Sequence, residues 1–126
     1  MEEKPNIIAE LSFEFAVRIV NLYKFLVKKN IHVVGKQVLR SGTSIGANVH
    51  EGIHAQSNAD FINKMNIALK EASETDYWLR LLYRTEVLSE EQFTSLCTDN
   101  KRIMGTLVKI INTANKTTQQ GKAKVV

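Results

Sequence analysis

Apolar residues recur at three- and four-residue steps over most of this 126-residue chain, which is the spacing of an amphipathic α-helix. The pattern predicts four helices, over about residues 6–30, 33–55, 58–85 and 90–115. Because short links join antiparallel neighbours, it indicates an all-α fold, an antiparallel up-down-up-down four-helix bundle over residues 1–116. Residues 117–126 are poor in apolar side chains, so we expect a flexible basic tail.

Two capping signals support these boundaries. Ser57 precedes the third helix, and Asp60 follows three residues later, a variant of the capping box. Ser89 and Gln92 have the same relation at the start of the fourth helix.

The first helix carries apolar residues on two sides. A second stripe lies roughly opposite the one that faces the bundle, and its members are Phe13, Val17, Val20 and Val27. A helix of an isolated bundle has one polar face. The second stripe therefore favours packing against another subunit over a merely wider intramolecular core.

Composition adds modest limits. Hydrophobic residues make up 44% of the chain and charged residues 24%, as in an ordinary globular domain. The single cysteine, Cys97, rules out an intrachain disulfide and fits a reducing compartment. With no secretory leader and no long apolar run, we expect a cytoplasmic protein that contacts no membrane. The net charge of +4 mildly favours acidic partners.

The second helix combines glycines with a polar stripe. Each of Gly42, Gly46 and Gly52 costs a helix about 1 kcal/mol relative to alanine, and close approach of a neighbouring backbone usually accounts for such residues. The polar residues on one face of this helix are Gln37, Arg40, Ser44, Asn48 and Glu51. We interpret this stripe as a hydrogen-bonded seam inside a helical assembly.

The short turn between the second and third helices predicts the partners of this seam. Arg40 should lie opposite Glu74 or Glu71 and form an ion pair that sets the register of the two helices. Ser44 and Asn48 should form hydrogen bonds across helices, and Glu51 should reach the first turn of the third helix. The alternative is a ligand or catalytic site, but the chain has no nucleophile beside a base and no phosphate-binding loop.

The string from His50 to His54 matches the zinc-peptidase pattern His-Glu-x-x-His. The helix pairing separates His50 from Glu71 by about two turns, roughly 11 Å, so no third ligand is within reach. The sequence also has no strand pattern to build a substrate cleft. We therefore expect two surface histidines and neither a metal nor another cofactor, and a zinc hydrolase remains a remote alternative.

Basic residues cluster late in the chain. Arg80 and Arg84 belong to an aromatic and basic segment, residues 77–84. This segment could pack into the core with one edge exposed to solvent, or it could form a surface that binds bases or a protein partner. Residues 100–126 contain no acidic side chain and six basic ones, Lys101, Arg102, Lys109, Lys116, Lys122 and Lys124. Seven-residue spacing puts Arg102, Lys109 and Lys116 on one helix face. Most runs of charge are simply solvated faces, but the absence of acidic residues makes phosphate binding almost as strong an interpretation here.

The central segment closely resembles a family of bacterial four-helix bundle proteins, some of them encoded in intervening sequences of 23S rRNA genes. The matching motif consists of Gln37, Arg40, Ser44, Ile45, Asn48, Val49, Glu51 and Gly52. The resemblance implies an antiparallel four-helix bundle assembled as a homopentamer. It extends to the accessory variability determinant of diversity-generating retroelements, a basic bundle that binds nucleic acid and a reverse transcriptase.

These features favour a non-enzymatic homo-oligomer that binds RNA or DNA. The candidate nucleic-acid-binding residues are Arg80, Arg84, Lys101, Arg102, Lys109 and Lys116. The alternative is a scaffold or adaptor that binds another protein, such as a reverse transcriptase, through apolar helix faces and has little affinity for nucleic acid.

Overall fold

A computed structural model describes the backbone of residues 3–125 and the side chains of residues 7–118. It contains four helices: α1 (Glu3–Lys28), α2 (Val33–Ile53), α3 (Asn58–Arg84) and α4 (Glu90–Val125). Each helix packs against the next along the chain, and α4 closes the bundle against α1. The prediction of an antiparallel, all-α four-helix bundle is confirmed. None of the described helices is both long and apolar enough to cross a membrane.

Buried side chains from all four helices form one core along the bundle axis. Its largest fully buried members include Phe15, Ile19, Leu26, Ile45, Met65, Leu79, Ile103 and Leu107. The fully buried Asn100 ties α4 to α3, because its Nδ2 donates to the carbonyl of Ala72, 2.9 Å away.

The glycines of α2 mark its close contacts. A Cβ added at Gly42 would lie 2.7 Å from Cγ1 of Ile19, and one added at Gly46 would lie 3.2 Å from the backbone oxygen of Ser12. Both contacts are with α1, whereas Gly52 faces Met65 of α3. The glycines therefore let α1 and α3 approach α2 more closely than a side chain would allow. The predicted approach of a neighbouring backbone is found at Gly46, whereas the nearest atoms at Gly42 and Gly52 belong to side chains.

Hydrogen bonds from nearby residues cap the helix ends. Ser57 accepts from the Asp60 amide at 3.0 Å, while Ser89 and Gln92 satisfy each other's backbone amides at 2.9 and 3.1 Å, so both predicted caps are confirmed. After α1 and α3 the chain turns through a left-handed residue, Asn30 (φ 62°) and Glu86 (φ 65°) respectively. Each turn has the paired backbone bonds of a Schellman motif.

The end of α4 differs from the prediction. The pattern of apolar residues ended the helix near 115 and assigned 117–126 to a flexible tail, but the backbone is helical through Val125. The physical reason is that a helix already nucleated needs only favourable backbone propensity to continue, and lysine, glutamine and alanine have that propensity. Residue 126 lies outside the described backbone.

Candidate nucleic-acid interface

The polar seam of α2 centres on Arg40. Its Nη1 donates to Oε1 of Glu71 at 3.0 Å, and its Nη2 donates to Oε2 of Glu74. The same oxygen of Glu74 accepts from Nε1 of Trp78 at 3.0 Å. The sequence paired Arg40 with one carboxylate or the other, and the structure pairs it with both.

This ion-pair cluster lies at the surface. The Arg40 side chain is 49% exposed, Glu74 is 35% exposed, and only Glu71 is largely covered. The hydrogen bond from Arg40, with a smaller effect of Trp78, lowers the pKa of the Glu74 carboxyl, and the same carboxylate raises the pKa of Arg40. An exposed pair of this kind fixes register and adds at most about 1 kcal/mol to stability.

Two residues of the seam form their hydrogen bonds within α2. Asn48 donates from Nδ2 to the carbonyl and the hydroxyl oxygen of Ser44, at 2.9 and 3.0 Å, and both residues belong to α2. The predicted cross-helix bonds are therefore wrong, because residues four apart on a helix lie close enough to satisfy each other. Gln37 is half-buried and makes no side-chain hydrogen bond with the part of the chain whose side chains are described.

Glu51 reaches α3 through Lys64. Its Oε1 lies 2.8 Å from the lysine Nζ, which lowers the pKa of Glu51 and raises that of Lys64. Lys64 is in the second turn of α3, one turn beyond the predicted contact.

A buried polar pair that was not predicted from the sequence lies beneath the seam. The hydroxyl oxygens of Ser41 and Thr75 lie 2.9 Å apart, both residues are fully buried, and Thr75 also donates to the Glu71 carbonyl at 2.8 Å. The sequence contains a signal for the burial of Ser41, because this residue lies at helical spacing between the core residues Val38 and Ile45.

The His-Glu-x-x-His string forms no cluster of metal ligands. His50 and His54 are exposed, with ring centroids 5.0 Å apart, and Nδ1 of His54 bonds the His50 carbonyl just past the end of α2. Within the side chains described, no group of three histidine, cysteine or carboxylate residues is placed to hold a metal ion.

Three basic residues of α4 share one exposed face. Arg102, Lys109 and Lys116 are all exposed, and their seven-residue spacing aligns them along the helix. None of the three forms a salt bridge with a carboxylate in residues 7–118. They form a stripe of positive charge about 20 Å long, since each helical residue adds about 1.5 Å.

The other predicted basic residues occupy different places. Arg80 and Lys101 line one groove between α3 and α4, where Asp76 lies 3.9 Å from Arg80. Arg84 lies at the end of the bundle, in a groove shared with Lys29, the first residue after α1. The predicted set is therefore divided among a stripe, a groove and one bundle end.

One cross-helix ion pair had no counterpart in the predictions. Arg18 of α1 donates to Asp99 at 2.7 Å and to the Ser95 hydroxyl at 2.9 Å, both on α4. It removes Asp99 from the acidic groups that could oppose the basic stripe.

The second apolar stripe of α1 faces outward. Phe13 is 66% exposed, Val17 42% and Val20 37%, whereas Val27 is half-buried. Beside Phe13, an apolar groove of about 690 Å³ runs between α1 and α2, past Gly46.

Comparison with known proteins agrees with this architecture. The model of the 23S rRNA-intervening sequence protein family matches residues 4–109. A crystal structure of a Bacteroides thetaiotaomicron protein of unknown function, from the S23 ribosomal protein family, has 59% sequence identity to this chain and superimposes with a TM-score of 0.84. The match covers 86% of this chain and 98% of that one. The search of curated proteins found no match. The family match spans most of the chain and includes the seam of α2, so the protein belongs to the 23S rRNA-intervening sequence protein family.

Proposed function

We propose that this protein is a non-enzymatic, cytoplasmic homo-oligomer that binds nucleic acid through the exposed basic stripe of α4. The observation that carries the proposal is the alignment of Arg102, Lys109 and Lys116 on one exposed face without a carboxylate among the described partners. Cations arranged this way neutralise successive phosphates and release their condensed counterions, which is the main source of affinity in sequence-independent binding.

A further observation supports the proposal. After the stripe, residues 117–126 contribute Lys122 and Lys124 and no acidic residue, so the sequence continues the positive charge.

Charge reversal tests the stripe directly. In an Arg102→Glu/Lys109→Glu double variant, RNA affinity should fall, and the dependence of log affinity on log salt should flatten by about 2, because two phosphate contacts are lost. The matched control is Lys36→Glu, since Lys36 is exposed on α2, the helix diagonal to α4. Fluorescence anisotropy at several salt concentrations measures both quantities. Unchanged binding by the double variant would refute the proposal.

The apolar stripe of α1 supports self-association. A monomer would leave Phe13, Val17 and Val20 in contact with water, whereas an interface between copies would remove these side chains from it. The pentamer implied by the family resemblance is the assembly that we expect.

The assembly is tested by mass measurement in solution. Val17→Glu should dissociate the oligomer, because it would bury a charge in the interface. Val33→Glu makes the same change at a residue that is 78% exposed at the start of α2 and should leave the assembly intact. Light scattering coupled to size exclusion measures the mass of each variant. A monomeric wild-type protein would contradict self-association.

A second candidate function rests on the same α1 surface. If the stripe binds a different protein, the chain acts as a scaffold or adaptor, and its affinity for RNA should be weak and indifferent to charge reversal on α4. The salt titration described above therefore separates the two functions.

A further inference from the structure

Tyr77 presents an exposed aromatic ring on the outer side of α3. Its side chain is 59% exposed, more than any other described aromatic residue except Phe13. It lines a shallow depression between α3 and α4, beside Met104 and the 43%-exposed Val108. An exposed ring next to further exposed apolar surface is a feature that a flat, apolar ligand group would cover.

The ring of Tyr77 is held by its neighbour. Trp78 packs edge-on against it, with ring centroids 5.0 Å apart and an interplanar angle of 76°. Trp78 is in turn fixed by the hydrogen bond from its Nε1 to Glu74, which Arg40 also holds. The seam of α2 thus orients the aromatic pair on α3, and a pre-ordered ring loses little entropy when a ligand stacks on it.

Cationic side chains line this depression and a second groove between the same two helices. Lys70 lines the same depression as Tyr77, and Arg80 and Lys101 line the adjoining groove between the same two helices. Arg40 is shared by Glu71 and Glu74, and Asp76 lies 3.9 Å from Arg80. Lys70 and Lys101 form no salt bridge among the side chains of residues 7–118, so both ammonium groups can meet a phosphate chain beside the ring.

We propose that Tyr77 is a stacking platform for an unpaired base, with Lys70, Arg80 and Lys101 holding the adjacent phosphates, so that the protein binds single-stranded nucleic acid. This inference rests on the proposed function and specifies its ligand. Bases in a duplex are stacked on each other and do not present a face to a side chain on a convex helix surface. An unpaired base does, and aromatic stacking with flanking cations is how single strands are held without sequence preference.

Tyr83 provides the matched control within the same helix. It is 37% exposed, but its ring is stacked on Phe93, with centroids 4.4 Å apart and an interplanar angle of 8°. One face of that ring is therefore already covered by the protein.

The test measures binding of a labelled oligo-uridine of about 20 nucleotides and of an RNA duplex of equal length by fluorescence anisotropy. Tyr77→Leu should weaken oligo-uridine binding by about tenfold and change duplex binding by less than about twofold. Tyr77→Phe, which keeps the ring, should bind like the wild type, and so should Tyr83→Leu. An oligo-thymidine arm shows whether single-stranded DNA is accepted as well as RNA.

The outcomes separate this inference from the proposed function. If Tyr77→Leu binds oligo-uridine like the wild type, or weakens both probes equally, the stacking platform is refuted. If Arg102→Glu/Lys109→Glu nevertheless weakens both probes, the basic stripe stands without it. If the wild-type protein binds neither probe, both proposals fall.

Discussion

Replacing Gly42 by alanine tests whether the glycines of α2 are present because α1 approaches so closely. The new Cβ would lie 2.7 Å from Cγ1, 2.8 Å from Cγ2 and 3.0 Å from Cδ1 of Ile19. Ile19 is fully buried and β-branched, so it has little rotamer freedom with which to move away.

The magnitude follows from two opposing effects. Overpacking a well-filled core costs about 1–3 kcal/mol, whereas alanine gains about 1 kcal/mol of helix propensity over glycine. We therefore expect Gly42→Ala to lower the free energy of unfolding by about 1 kcal/mol, on the basis of these two effects. Gly105 of α4 is the control, since a Cβ there would meet nothing within 4 Å, and Gly105→Ala should stabilise the protein by about 0.5–1 kcal/mol.

Urea unfolding followed by circular dichroism and by the fluorescence of Trp78 measures these changes with two probes, which also tests two-state behaviour. All variants should be compared at one protein concentration, because self-association adds to apparent stability. In an Ile19→Ala background the obstructing side chain is gone, so Gly42→Ala should cease to destabilise the protein. A Gly42→Ala protein as stable as Gly105→Ala would refute the close-approach explanation.

Two other substitutions test local features. Glu86 adopts a left-handed conformation (φ 65°) that favours glycine and strains other residues. Glu86→Gly should therefore raise the free energy of unfolding, measured by urea titration, by about 1 kcal/mol. A loss of stability would show that Glu86 is not strained. Because Arg40 depresses the pKa of Glu74 in the folded state, the pair stabilises the fold above the ordinary carboxyl pKa of 4.5, and this contribution is lost as the pH falls through the depressed value. Arg40→Gln should therefore lower the free energy of unfolding by less than about 1 kcal/mol near neutral pH, because the pair is so exposed. This difference from the wild type should become smaller in acid. A difference that does not depend on pH would contradict the prediction.

Contacts between two helices could be predicted from the sequence where a short turn joins those helices and fixes their register. The link after α2 is only a few residues long, so counting outward from it placed Arg40 beside Glu71 and Glu74. No turn joins α1 to α4, and the Arg18–Asp99 pair had no comparable signal in the sequence. Helical periodicity assigned Asn48 to the correct helix, but it cannot distinguish a bond within that helix from one across to another.

The end of α4 illustrates a different limit. Apolar periodicity reports where a helix is covered by a core, and Ala114 is the last buried residue of α4 among the side chains described. Helix formation needs only favourable backbone propensity once earlier turns have nucleated it, so the backbone continues to Val125. The helical backbone therefore continues past the basic stripe, through the positions of Lys122 and Lys124.

The apolar stripe and the basic stripe lie on neighbouring helices, and this arrangement couples the two proposed properties. If copies associate through α1, the α4 faces recur around the assembly, and a long strand can contact several of them at once. Val17→Glu, which should separate the copies, should then weaken binding of a long oligo-uridine much more than binding of one that spans a single subunit. Anisotropy titrations with both lengths measure this difference, with Val33→Glu as the control. Equal effects on the two lengths would mean that each subunit binds alone, and self-association would then contribute nothing to affinity.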